Sequence, residues 1–330
     1  MLSSVLRAMD RGPDGKVSVI DGESALAPPP EGTRRWIDLE GEPDEVLERL
    51  RIGFDFHPLA IEDCEQFDQR PKLEEYRDHL FLVTQSFSCP GTHLAKVDLH
   101  ELHAFLGESY LVTVHADHLD ALDEVWRRVQ KSSSVFERGV DFIYYLLSSR
   151  MVESNLPILD RITDELEELE DRVLGRRPMR SDLARIFELK RHLVALRKVL
   201  SPQRDTVAML ARRGDGRVSE RTSHYFRDVY DQLVRLNESI ESNRDLLGNA
   251  LDAYLSSVSN RTNEIMKYLT LLSAVFLPLA FVVGFFGQNF ESLPGVPHWM
   301  ESRTLMHAMV GVCVATPVVM IAWFRFRDWI

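Results

Sequence analysis

Two long stretches without fixed charge stand close together at the C-terminal end of an otherwise highly charged chain. From Tyr268 to Phe286 there is no Asp, Glu, Lys, Arg or His, and from Thr304 to Phe324 the only ionisable groups are His307 and the thiol of Cys313. A helix rises about 1.5 Å per residue, so roughly 20 apolar residues cross the hydrocarbon layer of a bilayer, and both stretches have that length. A pair of buried core helices has the same composition, but two such lengths back to back after a polar chain fit a hairpin in lipid better. Averages conceal this pattern: 27% charged residues and a net charge of -12 describe an ordinary acidic soluble protein.

The flanks orient the hairpin. Arg261 and Lys267 precede the first stretch and Arg325 and Arg327 follow the second, whereas the connection carries Glu291, Glu301 and Arg303. By the positive-inside rule both termini are expected in the cytoplasm and the connection outside, in a cell (inner) membrane crossed twice. Met1–Gly12 has no apolar core and does not read as a secretory signal. Cys64, Cys89 and Cys313 are too few and too scattered for a disulfide framework, which suits a reducing compartment.

The polar part divides at about residue 150. Strand-like runs at Arg35–Leu39, Leu80–Phe87, Glu101–Leu106 and Tyr110–His115 alternate with helical patterns at Pro43–Ile52 and Leu119–Lys131, so residues 1–150 are expected to form an α/β domain. Residues 151–218 read as helical: Ile158, Ile162, Leu166, Leu169 and Val173 recur at helix spacing. They lie among Asp164, Glu165, Glu167, Glu168, Glu170 and Asp171, and the break at Gly175–Pro178 leads into a second helix, Ser181–Leu200. The acidic run is read as a solvated face, with gathering of cations near a pore as the alternative.

Residues 219–287 are expected to form one long helix, continuous from about His224 to Phe286, that includes the first span. Residues 288–303 then form the external loop, 304–324 the second span and 325–330 a cytoplasmic tail. The fold class is therefore α+β, with the long stalk helix continuing into the membrane. Every seventh residue from Asp252 gives Ser259, Met266, Ser273, Ala280 and Gly287, and a companion row gives Ser256, Asn263, Thr270, Leu277 and Gly284. Another row, Tyr254, Arg261, Tyr268, Val275 and Val282, is bulkier in the span and is expected to face lipid tails. In lipid a face of small and polar residues lines water or packs against another helix, and periodicity leaves both open.

The segment YFRDVYDQLVRLNESIESNRDLLGNALDAYLSSVSNRTNEIMKYLT, Tyr225–Thr270, resembles the stalk and pore helix of the CorA metal-ion transporters. HPLAIEDCEQFDQRPKLEEYRDHLFLV, His57–Val83, resembles a stretch of that family's N-terminal domain, and Gly287-Gln288-Asn289 occupies the place of the Gly-Met-Asn signature. The resemblance implies a funnel-shaped homopentamer whose five long helices line one pore, with Mg2+ as the usual cargo and Co2+ or Ni2+ also passing. It implies a selectivity filter at Gly287, Gln288 and Asn289. The amide oxygens of Asn289 would accept hydrogen bonds from the water shell that Mg2+ gives up reluctantly, although asparagine also suits a helix C-cap. Asp63 and Asp228 correspond to a regulatory cation site between neighbouring subunits, and Asp252 to a further acidic site near the stalk. Each alone also reads as a surface charge.

The chain departs from the family at Gln288, where the signature has methionine, and Glu291 is the acidic residue left near the mouth. Relatives with altered signatures include the ZntB zinc transporters, so Zn2+ transport is the alternative cargo, with His298 and His307 as candidate imidazole ligands. A non-conducting, membrane-tethered binding module is a second alternative. His93, His100, His103, His115 and His118 invite a metal-site reading, but strand alternation sends His100 and His103 to opposite faces and no Cys/His pair has zinc-site spacing. No phosphate-binding loop or hydrolase elbow is present, so no enzymatic activity is expected. The expected partners are further copies of the chain, the lipid bilayer and divalent cations, with no nucleic acid.

Overall fold

The computed structural model describes residues 5–41, 44–89, 97–175, 179–287 and 303–327. By its internal contacts the chain divides into two units, Met1–Asp252 and Ala253–Ile330.

The first unit is built on a seven-stranded sheet of order β2-β1-β3-β7-β6-β5-β4. Its strands are β1 (Val5–Arg11), β2 (Val17–Ile20), β3 (Arg34–Glu40), β4 (Lys72–Glu75), β5 (Leu80–Ser88), β6 (Asp98–Leu106) and β7 (Tyr110–His115). The central pair β3 and β7 runs parallel, and the other described pairs are antiparallel. All four expected strands are present. The strands β1, β2 and β4 escape a sequence reading because they are short or charged and carry little alternation.

Helices cover both faces, which is why β5 and β7 read as continuous apolar runs. On one face Ile37, Leu39, Phe81, Phe105 and Val112 pack against α2 (Asp44–Phe54) and α3 (Pro58–Glu65) after the short α1 (Gly22–Ala25). There Phe56 stacks on Phe105 with ring centroids 3.9 Å apart. On the other face lie α4 (Asp120–Lys131), α5 (Ser133–Arg138) and α6 (Val140–Glu153). Trp126 tilts against Trp36 at 4.8 Å, and the Tyr144 hydroxyl meets Thr84 Oγ1 at 2.6 Å. Each fully buried large side chain contributes about 1.5–3 kcal/mol of transfer free energy.

β4 pairs with Leu80–Val83, and among the described residues no strand covers the outer edge of β5 beyond it. The side-chain oxygens of Gln203 and Asn155 accept the backbone N–H groups of Gln85 and Phe87 at 3.0 Å each. Buried backbone donors need such partners, so this pair of polar side chains fastens the sheet to the helical region.

That region comprises α7 (Leu156–Gly175), α8 (Arg180–Leu210) and α9 (Glu220–Phe286). The expected stripe Ile158, Ile162, Leu166, Leu169 and Val173 is buried, as are Ile186, Leu189 and Leu193 of α8 and Leu233, Leu236 and Ile240 of α9. Asn243 Nδ2 donates to Thr163 Oγ1 at 2.9 Å and Arg197 pairs with Glu241 at 3.1 Å, registering α9 against α7 and α8. α8 extends beyond the expected Leu200 and runs through Pro202 to Leu210. Proline removes one helical donor and strains the turn before it, but burial of Leu196, Val199 and Leu200 on one side and Val207 and Leu210 on the other holds the helix together.

α9 starts four residues before the expected His224, because Ser219 caps it: its Oγ accepts the N–H of Thr222 at 3.2 Å. Asp141, at the start of α6, accepts hydrogen bonds from both the N–H and the hydroxyl of Ser219, at 2.9 and 2.8 Å. The long helix is thus tied at its first turn to the sheet-bearing part of its own unit. It continues for 67 residues, with Pro278 inside it. In the second unit its C-terminal part is joined by α10 (Arg303–Phe326), whose bounds enclose the expected second span.

Candidate ion-conducting helix and cation-sensing face

In both α9 and α10, windows of high mean hydropathy, 2.2 and 1.8, are long enough to cross a membrane. Only 6% of each window is buried within the chain, whereas the core helix of a soluble protein would be mostly covered. Leu271 of α9 and Phe324 of α10 are buried, and with Tyr268, Val275, Phe276 and Ile321 they line an apolar groove of about 660 Å³. Val275 and Val282, expected toward lipid, are half-buried, and Val275 lies on this α10-facing side. The difference arises because α10 takes the bulky face of α9 that a single-helix reading assigns to lipid.

The small and polar seam is left bare. Asp252, Ser256, Ser259, Asn263, Met266, Thr270, Ser273, Leu277, Ala280 and Gly284 are all exposed in the single chain. Met266 is 59% and Leu277 76% exposed, which an apolar side chain accepts only against lipid, another protein surface or a dewetted constriction. Thr270 Oγ1 donates to Met266 O at 2.8 Å, so that hydroxyl is satisfied within the helix. Pro278 cannot donate to the Ala274 carbonyl, and it therefore frees one acceptor about three turns before the end of the span. Gly287 closes the helix by donating its N–H to Val283 O at 2.8 Å, and a Cβ there would lie 2.8 Å from that same oxygen. Real Cβ atoms do not come so close, so glycine is required by space. Gln288, Asn289, Glu291 and His298 lie outside the described residues.

The three carboxylates expected to sense cations, Asp63, Asp228 and Asp252, form no shared cluster among the described residues of one chain. Asp228 and Asp252 are exposed on α9, and neither has a hydrogen-bond or ion-pair partner among the described residues. Asp63, on α3, is paired: Lys72 Nζ donates to it at 2.6 Å and to Glu74 at 2.8 Å. Glu74 in turn accepts from the Tyr76 hydroxyl at 2.8 Å. Burial and this hydrogen bond push the Tyr76 phenol up to about 12. Burial lowers the Lys72 ammonium, but the bonds to Asp63 and Glu74 outweigh it and leave it above its usual value. Lys72 escaped the sequence reading, although its signal was available: Lys72 and Glu74, two apart in a strand, share one face.

Among the described residues no group of three or more His, Cys, Asp or Glu is placed to hold a metal ion. The histidines have other partners. His103 is buried, with Nδ1 3.2 Å from Cys64 Sγ and Nε2 bonded to Glu101, and burial pushes the Cys64 thiol up. His100 meets Ser88 Oγ at 2.7 Å. His115 Nδ1 lies 2.6 Å from Asp117 O and its Nε2 3.3 Å from Asp38. His118 is 56% exposed among Glu40, Asp120 and Asp123, at 3.5–3.7 Å. His307 Nδ1 lies 2.8 Å from the Arg303 carbonyl oxygen one turn before it, and His93 lies outside the described residues.

Residues 31–325 match the family described as CorA-like Mg2+ transporter protein. The chain belongs to that family. It is 33% identical over 312 residues to the cobalt/magnesium transport protein CorA of Thermotoga maritima, covering 94% of this chain and 87% of that one. It is also 33% identical over 297 residues to the putative metal ion transporter YfjQ of Bacillus subtilis, covering 89% of each. Its fold matches the complete CorA magnesium transporter of Methanocaldococcus jannaschii at TM-score 0.83 over 100% of both chains, with 24% identity. The ZntB cytoplasmic domain of Vibrio parahaemolyticus shares the fold of 77% of the chain, at TM-score 0.64 and 13% identity. The family is one of divalent-cation transporters rather than enzymes.

Proposed function

We propose that this CorA-type protein conducts divalent cations, Mg2+ first and Co2+ or Ni2+ with it, through a pore at the centre of a homopentamer in a cell membrane with both termini cytoplasmic. The observation that carries the reading is the seam from Asp252 to Gly287, bare in one chain while α10 occupies the opposite side. Five copies with their seams inward enclose a conduit of hydroxyls, amides and small groups. Such groups hydrogen-bond to a hydrated ion without stripping it, which suits the slow dehydration of Mg2+. Met266 and Leu277 form hydrophobic constrictions that gate by dewetting. Gly287, Gln288 and Asn289 form the filter at the outer mouth, near Glu291.

Cytoplasmic Mg2+ regulates the pore at Asp63 and Asp228 of adjacent copies and at Asp252. Hard carboxylate oxygens suit that ion, and Asp228 and Asp252, exposed and without a hydrogen-bond or ion-pair partner among the described residues, are open to a ligand shared between copies. A cation bridging them removes their mutual repulsion and holds the stalks together in the closed state.

Flux of Mg2+, Co2+, Ni2+ and Zn2+ into proteoliposomes of the purified protein tests the reading. Saturable Mg2+ entry is expected. Zn2+ entry without Mg2+ entry would move the protein to the ZntB class, and no flux of any of the four would leave a binding module.

A further inference from the structure

The outward faces of α7 and α8 carry opposite, unspent charge. On α7, Asp160, Asp164, Glu167 and Asp171 follow one another at helical spacing, all exposed and all without a hydrogen-bond or ion-pair partner among the described residues. Like charges one turn apart repel, so this stripe destabilises its own helix unless cations face it. On α8, Arg180, Lys190, Arg191 and Lys198 are equally exposed and unpaired among the described residues. Between them Phe187 and Val194 stand 49% and 53% exposed, and a groove of about 760 Å³ opens over this face. The seam between the two helices is different: there Arg185 pairs with both Glu165 and Glu188.

We infer that the acidic face of α7 docks on the basic, half-apolar face of α8 of a second copy of this chain. The contact repeats head to tail around the ring, and it rests on the homo-oligomeric reading above. Charge complementarity selects the occupant, and so does register. Because Arg185 lies across from Glu165 in the α7–α8 hairpin, antiparallel counting puts Arg180 level with Glu170 and Asp171. The same count puts Lys190 and Arg191 level with Asp160, and Phe187 level with Asp164. In a ring whose axis runs along the hairpin, equal levels meet, so Arg180, Lys190 and Arg191 each find an acid and Phe187 is covered between them. Two different patches on each chain make this a heterologous contact, the kind that closes into a ring.

The test is the mass of the full-length protein in detergent, followed on dilution, for wild type, R180E/K190E/R191E, D160K/D164K/D171K and the six-fold combination. Each triple reversal is expected to raise the concentration at which the assembly dissociates by about tenfold, and the combination, which restores opposite charge, to recover wild-type behaviour within about threefold. Helix content by circular dichroism is expected to stay unchanged in all four. D160C/R191C, oxidised, should give a ladder of covalently linked chains that neither single cysteine variant gives. Unchanged dissociation of both triples, or no ladder from an oligomeric D160C/R191C, overturns the contact while leaving the oligomer standing. Loss of binding to vesicles rich in anionic lipid by R180E/K190E/R191E, with its assembly intact, assigns the α8 face to lipid and also overturns it. A wild type that is monomeric at every concentration removes the homo-oligomeric reading itself.

Discussion

The ammonium of Lys72 lies 2.6 Å from the carboxylate of Asp63, so the proposed sensing acid on α3 already holds a cation of its own. A divalent ion bridging Asp63 to a neighbouring copy has to displace this ammonium, which retains Glu74 at 2.8 Å as its second partner. Lys72 thereby raises the Mg2+ concentration at which the sensor fills. Lys72→Met is expected to lower the internal Mg2+ that half-inhibits flux by roughly threefold to fivefold, the worth of one part-exposed ion pair. In an Asp63→Asn background the same change should have no effect, and a shift that persists there would separate Lys72 from the sensor.

Asp228 sits exposed on α9 without a partner among the described residues, as a shared ligand should. Asp63→Asn combined with Asp228→Asn is expected to make flux in vesicles insensitive to internal Mg2+. Asp228→Lys should reduce flux at low internal Mg2+ by supplying the bridging charge. Inhibition that survives unchanged in the double variant would place the sensor elsewhere.

Along α9, the bare seam proposed to line the pore and the α10-facing side make opposite predictions for chemical access. Cysteines replacing Met266, Ser273 and Ala280 should react with aqueous thiol reagents under low internal Mg2+ and block flux, whereas one replacing Val275 should stay unreactive. Cys313 is replaced by serine beforehand to remove the native thiol in α10. Labelling at Val275 but not at Ser273 would rotate the pore to another face.

For the proposed filter, Asn289→Ala is expected to abolish selective Mg2+ flux while the assembly keeps its mass, since a helix-end cap alone is worth only about 1 kcal/mol. Gln288→Met tests the departure proposed at this position and should raise Mg2+ flux relative to Zn2+. An unchanged ratio would make the glutamine incidental to ion choice.

His79 is buried among Phe56, Tyr76 and Phe105, and burial drives its imidazole down to about 4. The unfolded chain, with an ordinary value near 6.5, binds that proton first, so stability is complete above about pH 6.5 and falls as the pH drops toward 4. The loss approaches about 1.4 kcal/mol per pH unit in that window. His79→Phe fills the same aromatic pocket without a titrating group and should flatten the melting temperature against pH between 6.5 and 4. A slope equal to wild type would assign the acid sensitivity to other groups.

What the sequence determined by itself was everything written in linear periodicity. Two uncharged stretches gave the spans, the alternating and apolar runs gave β3, β5, β6 and β7, and the stripe from Ile158 to Val173 gave α7, because each depends on residues a few positions apart. The Tyr225–Thr270 and His57–Val83 motifs gave the family. Only the tertiary structure decided which side of α9 meets α10, since Val275 and Ser273 are equally helical and their surroundings come from another segment. The same holds for Lys72 on Asp63, Asn155 and Gln203 capping the edge of β5, and Asp141 holding Ser219. These are partnerships across 9 to 118 positions, and the energy of a polar contact depends on where the two groups meet in space, which local pattern does not encode.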